Sequence, residues 1–299
     1  MNTIKTSFSI KDLEHLSGIK AHTIRIWEKR YNLLVPERTD TNIRTYNLRS
    51  LQKLLNISFL NSNGYKVSKI AALDERQIAT KVKEISFLGN TEGHAFNAFK
   101  LAMLNFDQAL FYNTYNRLLE EKSFRDIFYE IFIPILQDIG ILWQTLTINP
   151  SHDHFISIHV RQKVLIHNER LQSANPKPNT KTFVLFLPLN EMHDIGLLFI
   201  NYELLSRGYH TIYLGESIPI EDLNTINTIY KDITYISYFT VKPDPENIEN
   251  YLKKLYSEVI ENTTNTVRLL GKRFIDFKPK KTPKQMKIYK SIQNLVKDL

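Results

Sequence analysis

The chain of 299 residues has no cysteine, which excludes disulfides, thiolate zinc sites and cysteine nucleophiles at once. Glycine is scarce, nine residues in all. No Gly-x-Gly-x-x-Gly run occurs among them, so a nicotinamide or flavin dinucleotide site is not expected. No Gly-x-Ser-x-Gly elbow offers a hydrolytic nucleophile either. No apolar run approaches the ~20 residues of a membrane span. The opening "MNTIKTSFSI" lacks the apolar core of a signal peptide. A cytoplasmic protein without a membrane segment is the expectation.

What is present is positive charge. Lys and Arg number 39 against 31 Asp and Glu, a formal net charge of +8. Residues 1–76 hold 13 Lys and Arg against 7 Asp and Glu, so +6 of the excess falls in that quarter. A polyanion such as nucleic acid is the natural partner for it.

Within that quarter, Ile10, Leu13, Leu16 and Ile19 recur at helical spacing behind Ser9, an N-cap candidate, and Gly18 ends the helix. A second helix, "KAHTIRIWEKRY", puts Ile24, Trp27 and Tyr31 on one face and His22, Arg25 and Lys29 on the other. Two short helices joined by a Gly-containing turn describe a helix-turn-helix, or else a surface helix with a solvated basic face. The stretch "NLLVPERTDTNIRTYN" is too polar for a helix. Pro36 and Asp40-Thr41-Asn42 predict a hairpin-like turn whose arms carry Arg38, Arg44 and Tyr46. A third helix follows in "LRSLQKLLNISFLNSNGY", ended by Gly64.

From residue 8 to about 73 the string "HTIRIWEKRYNLLVPERTDTNIRTYN" and its surroundings resemble the winged helix-turn-helix module of the MerR family of transcription regulators. The resemblance implies double-stranded DNA as partner, with groove contacts from the second helix and phosphate contacts from the wing. These fall on His22, Thr23, Arg25, Arg30, Arg38, Arg44 and Tyr46. One module makes few contacts, so assembly as a homo-oligomer, dimer or tetramer, is expected on paired half-sites.

Residues 77–90 read as a linker. From 91 to 175 large apolar residues recur at three and four, which predicts a helical bundle. A Pro- and Asn-rich linker, "ANPKPNTK", precedes the last region, 180–299. There "TFVLFLPL", "HTIYLG", "ITYISYFT" and "TVRLLG" alternate with helical segments, which predicts an α/β, doubly wound parallel sheet. The tail is expected to form an amphipathic helix through Met286, Tyr289, Ile292, Val296 and Leu299.

Ligands of open α/β sheets bind at the carboxyl ends of strands, and Glu191, His193 and Gly196 stand just after the first strand. One histidine holds a bare ion poorly, but it can supply one axial ligand to a metal already held in a macrocycle. The alternative is a loop histidine hydrogen-bonded to its neighbours. "EMHDIG" resembles the Asp/Glu-x-His-x-x-Gly motif of cobalamin-binding domains. In that family the histidine is the lower axial ligand of cobalt and the cofactor's nucleotide tail threads into the sheet. The resemblance makes His193 the metal ligand and extends the site to Glu191, Gly196, Ser237 and Gly271. The helical bundle resembles that family's cap. Trp143 with Asp153-His154 matches the cap motif Trp-x9-Glu-His of the light- and cobalamin-responsive MerR-type regulators of the CarH/LitR group.

The order of modules is also that group's order, and the likeness covers nearly the whole chain. It implies a DNA-binding regulator, not an enzyme, controlled by cobalamin (adenosylcobalamin above all) between cap and sheet. A regulator whose cobalamin fold serves another partner, and a corrinoid carrier or mutase subunit, are the alternatives. Four positions depart from the pattern: Asp153 replaces Glu, Phe239 replaces Leu after Ser-x, Lys272 follows Gly271, and Gln144 stands where light-sensing members have a second histidine.

Overall fold

The computed structural model describes residues 7–299 except Asp40, 87–91, 145–147, 173–180, Asp276, Lys278 and 280–282. The chain forms two compact units, Met1–Val160 and Arg161–Leu299.

The first unit begins with β1 (Ser7–Phe8), α1 (Ile10–Ser17), α2 (Ala21–Tyr31), β2 (Glu37–Arg38), β3 (Arg44–Asn47) and α3 (Leu48–Ser62). A capping box starts α1: the Ser9 hydroxyl accepts the Asp12 N–H at 3.2 Å, and the Asp12 carboxylate accepts the Ser9 N–H at 2.7 Å. Gly18 ends it at φ 70°, a left-handed conformation that glycine adopts without steric cost. Leu13, Leu16, Ile24 and Trp27 turn inward from the two helices. The strands form one antiparallel sheet in the order β1-β3-β2. The hairpin turn is closed by Asn42 at φ 63°, whose N–H donates to the Thr39 carbonyl at 2.8 Å.

Next come α4 (Val67–Ile70) and α5 (Glu75–Ser86). The stretch expected as a linker is thus helical up to residue 86. Ile78 and Val82, four residues apart, form a buried stripe that packs α5 on α3. The rest of the expected linker, 87–90, lies outside the described residues. The helical segment follows: α6 (Glu92–Asn105), α7 (Gln108–Glu121), α8 (Phe124–Ile127), α9 (Ile133–Gln144) and α10 (Pro150–Gln172). Its core is aromatic. Phe99, Phe111, Phe128 and Phe132 are fully buried, with Phe99 4.9 Å from Phe111 and 5.8 Å from Phe132 between ring centroids.

The second unit holds β4 (Thr182–Pro188), α11 (Ile195–Ser206), β5 (His210–Ile218), α12 (Leu223–Ile229), β6 (Thr234–Tyr238), α13 (Ile248–Leu255), β7 (Thr266–Leu270), β8 (Met286–Ile288) and α14 (Ile292–Lys297). The compact units part inside α10, not at its end. Its second half packs on α11 through buried amides: Asn168 donates to the Leu198 carbonyl at 3.0 Å and accepts from Asn201 at 3.1 Å.

The sheet runs β5-β4-β6-β7-β8 with every pair parallel. β4 is buried on both faces from Phe183 to Leu187, which is why it reads as one apolar run. The fifth strand corrects the expectation of a helical tail. Only Ile292–Lys297 is helical, because the backbone groups along the edge of β7 are paired by Met286–Ile288. From β4 the chain goes to β5 on one side and then to β6 on the other. The loops after β4 and β6 therefore diverge, and the crevice between them is the switch point of the sheet.

Candidate functional site

Glu191 and His193 lie in that crevice, on the loop after β4. Glu191 is fully buried. Its Oε1 accepts His193 Nδ1–H at 2.6 Å and the N–H groups of Met192 and His193 at 3.0 and 3.1 Å. Its Oε2 accepts the N–H groups of Thr240, Val241 and Lys242 from the loop after β6, at 3.0, 2.5 and 2.7 Å. One carboxylate thus ties together both loops of the switch point. Burial alone would raise its pKa, but the His193 hydrogen bond and the N–H groups of Lys242, Val241 and His193 outweigh burial and bring it to about 2. Because the carboxylate only accepts, Nδ1 is the nitrogen that carries the proton in the neutral imidazole, which leaves the lone pair on Nε2. The His193 side chain is 60% exposed, and Leu189, Met192 and Val241 are exposed apolar residues of the same two loops.

Asp194, next in the chain, is buried and held by Arg161 of α10. The Arg161 Nε lies 2.9 Å from each carboxylate oxygen, with a further contact of 2.8 Å from its Nη2. Tyr213 Oη donates to Asp194 at 3.4 Å, and Glu216 lies 3.6 Å from Arg161. Burial, then the Asp194 charge, raises the pKa of both Tyr213 and Glu216. No local spacing signals this cluster, because Arg161 and Asp194 are 33 residues apart.

The remaining cofactor candidates are placed as follows. Ser237, next to last in β6, has a buried Oγ with no hydrogen-bond partner among the described residues. Gly196 sits in the first turn of α11, where a Cβ would lie 2.8 Å from the Tyr238 ring. Gly271 has φ 119°, and a Cβ there would be 2.4 Å from the Phe239 carbonyl oxygen, so only glycine fits. In the first unit, Trp143 lies on α9, with its side chain outside the described residues. Asp153 accepts from Ser157 at 3.3 Å, and His154 is exposed. The buried histidine of "SHDH" is His152, stacked on Phe106 at 4.8 Å, with burial lowering its pKa. Among the described residues, no group of three or more His, Asp or Glu could hold a metal ion.

The DNA-facing candidates separate into two kinds. His22, Arg25, Lys29 and Arg30 are exposed along α2, while Thr23 is partly covered and 3.3 Å from His22 Nε2. Arg38 is exposed on the wing and donates to Asn42 of its turn. Arg44 lies 3.6 Å from Glu28 of α2. Tyr46, expected at the DNA surface, is 1% exposed and donates its hydroxyl to Glu28. It faces inward because β3 is the central strand and alternates its side chains between core and solvent. Glu28 joins wing and helix through both residues, and in the sequence it is indistinguishable from any surface glutamate.

Residues 8–77 match the MerR HTH family regulatory protein model, and residues 95–166 match the B12 binding domain model. The chain is 27% identical over 224 residues to the HTH-type transcriptional repressor CarH of Myxococcus xanthus, covering 73% of each chain. It is 22% identical over 255 residues to the repressor CarA of the same organism, covering 82% of this chain and 80% of CarA. The HTH-type transcriptional regulator MlrA of Escherichia coli is 35% identical over 66 residues, 22% of this chain and 27% of MlrA. Among solved structures, the monomethylamine corrinoid protein of Methanosarcina barkeri superposes with a TM-score of 0.58 at 13% identity, over 70% of this chain and 98% of that one. That last likeness is one of fold.

Proposed function

For a chain that joins a MerR helix-turn-helix domain to a B12-binding domain, we propose a DNA-binding transcription regulator whose promoter affinity is set by cobalamin, and not an enzyme. The observation that carries this reading is the Glu191–His193 pair at the switch point of the sheet. A lone imidazole whose Nδ1 is held by a carboxylate would suit a metal whose other ligands come from a macrocycle. The Ser237 hydroxyl, buried without a hydrogen-bond partner among the described residues, and the exposed apolar residues around His193 also fit such a group. When bound, cobalamin supplies a redox-active cobalt and, in its alkylated forms, a light-labile bond.

The chain's own residues supply the rest. His193 Nε2 would meet the metal, Glu191 would hold the ring oriented through Nδ1, and Asp194 with Arg161 would anchor the loop. Ser237, Gly196 and Gly271 are proposed to line the site. Trp143, Asp153 and His154 are proposed as contacts from the helical segment. His22, Thr23, Arg25, Arg30 and Arg38 are proposed to meet DNA, with Arg44 and Tyr46 setting the angle of the wing. A homo-oligomer reading paired half-sites in the cytoplasm completes the proposal. No described helix is long and apolar enough to cross a membrane.

The test is the visible spectrum of the purified chain with adenosylcobalamin, in the dark and after light, beside operator-binding titrations on the same samples. A spectral change that His193→Ala abolishes, together with cobalamin-dependent DNA binding, supports the proposal. No spectral change at saturating cofactor sinks it. With Gln144 following Trp143, the photoproduct should gain no second imidazole ligand.

A further inference from the structure

We propose that Tyr238 sets which corrinoids this site accepts: its ring fills the room a displaced nucleotide tail would need, so tail-less corrinoids enter directly and complete ones must expel it. The inference rests on His193 as the cobalt ligand.

The chemistry of the cofactor makes the demand. In cobalamin the benzimidazole nucleotide is tethered to the lower face of the corrin ring. Once an imidazole from the protein takes the lower cobalt position, the displaced base hangs on that same face. There it would meet the protein next to His193, where the first turn of α11 and the end of β6 are the neighbouring elements.

Both sides of that strand end are filled. On the α11 side the room left by Gly196 is taken by the Tyr238 ring, whose Cε2 and Cζ would lie 2.8 and 2.9 Å from a Cβ at residue 196. On the opposite face of β6, Phe239 is fully buried, with its ring 4.9 Å from Phe274 and 5.4 Å from Tyr251. The Phe239 backbone occupies the place where residue 271 lacks a side chain. Phe239 belongs to the hydrophobic core that joins α12, α13 and the sheet, so moving it would break that packing. Tyr238 meets Gly196 with its side-chain ring and not with backbone, and that residue is only partly buried. It is the movable one of the two.

The cost follows from populations. If only a small fraction of molecules holds the ring aside, the apparent affinity for a tailed corrinoid falls by that fraction, about 10–100-fold for an open state populated at 1–10%. A corrinoid without the nucleotide does not carry this cost.

The experiment is a spectrophotometric titration of the full chain with aquocobalamin and with diaquocobinamide, for the wild type, Tyr238→Ala and Tyr238→Phe. Circular dichroism checks the fold of each variant. Tyr238→Ala should tighten cobalamin binding by about tenfold or more and leave cobinamide within about threefold, while Tyr238→Phe, which keeps the ring, should behave as wild type. Equal cobalamin affinity in wild type and Tyr238→Ala, with His193 ligation seen in both, overturns the proposal and leaves the cobalamin site standing. If neither corrinoid shows His193 ligation in any variant, the cobalamin reading itself has failed and the proposal with it. Should Tyr238→Ala not fold, hydroxyl-radical footprinting of the wild type decides the matter. Oxidation of Tyr238 should rise with cobalamin bound and not with cobinamide. Continued protection under base-displaced cobalamin refutes the proposal.

Discussion

The Tyr46 hydroxyl donates to Glu28, so the central strand of the wing is bolted to the helix that carries Arg25. Arg44, 3.6 Å from the same carboxylate, is the second bolt. Tyr46→Phe removes a buried hydrogen bond to a charged acceptor and should cost about 1–3 kcal/mol in urea unfolding. Because it disturbs the angle of the wing and not a phosphate contact, DNA affinity should fall for all sequences while the salt dependence keeps its slope.

Arg38 and Arg25 should respond differently from Tyr46. Arg38→Ala should flatten the log–log salt dependence by about one unit, the signature of one lost phosphate contact. Arg25→Ala, on the exposed stripe of α2, should instead relax discrimination between operator and mismatched duplexes. Titrations at several salt concentrations separate the two outcomes, and an exchange of these phenotypes would reverse the assignment of helix and wing.

The Glu191 carboxyl is held at about 2 in the fold against an ordinary value of 4.5. Its charged form is therefore preferred by the folded state. That contribution is complete above about pH 4.5 and drains away as pH falls toward about 2. Glu191→Gln sets an amide NH2 against backbone N–H donors and should cost about 1–3 kcal/mol at neutral pH. The variant should also lose this acid-dependent part, so wild-type and variant stabilities should converge on acidification. Parallel curves down to about pH 2 would contradict the assignment.

Arg161 and Asp194 make a third testable pair. Asp194 is buried, and Arg161→Leu strands its carboxylate without a cation. The cost should be roughly 1–3 kcal/mol, below that of a wholly buried pair because water reaches the guanidinium. Hydrogen exchange should speed up in the loop 189–194 and leave β4 protected.

Much of this was legible in local pattern. Ser9, Gly18 and the spacing of Leu13, Leu16, Ile24 and Trp27 specify the two helices, because caps and a 3.6-residue period act within a few residues. The apolar run Phe183–Leu187, followed by Glu-x-His, placed a candidate ligand at the end of a strand for the same reason. The tertiary structure decided the rest. Tyr46 faces the core because of its register on β3, Met286–Ile288 is a strand because β7 has an edge to cover, and 77–86 is helix because Ile78 and Val82 find α3. The meeting of Glu191 with the N–H groups of Thr240, Val241 and Lys242 depends on strand order, 49 residues and more along the chain. Such contacts arise from which strand lies beside which, a long-range property that no local spacing of residues encodes.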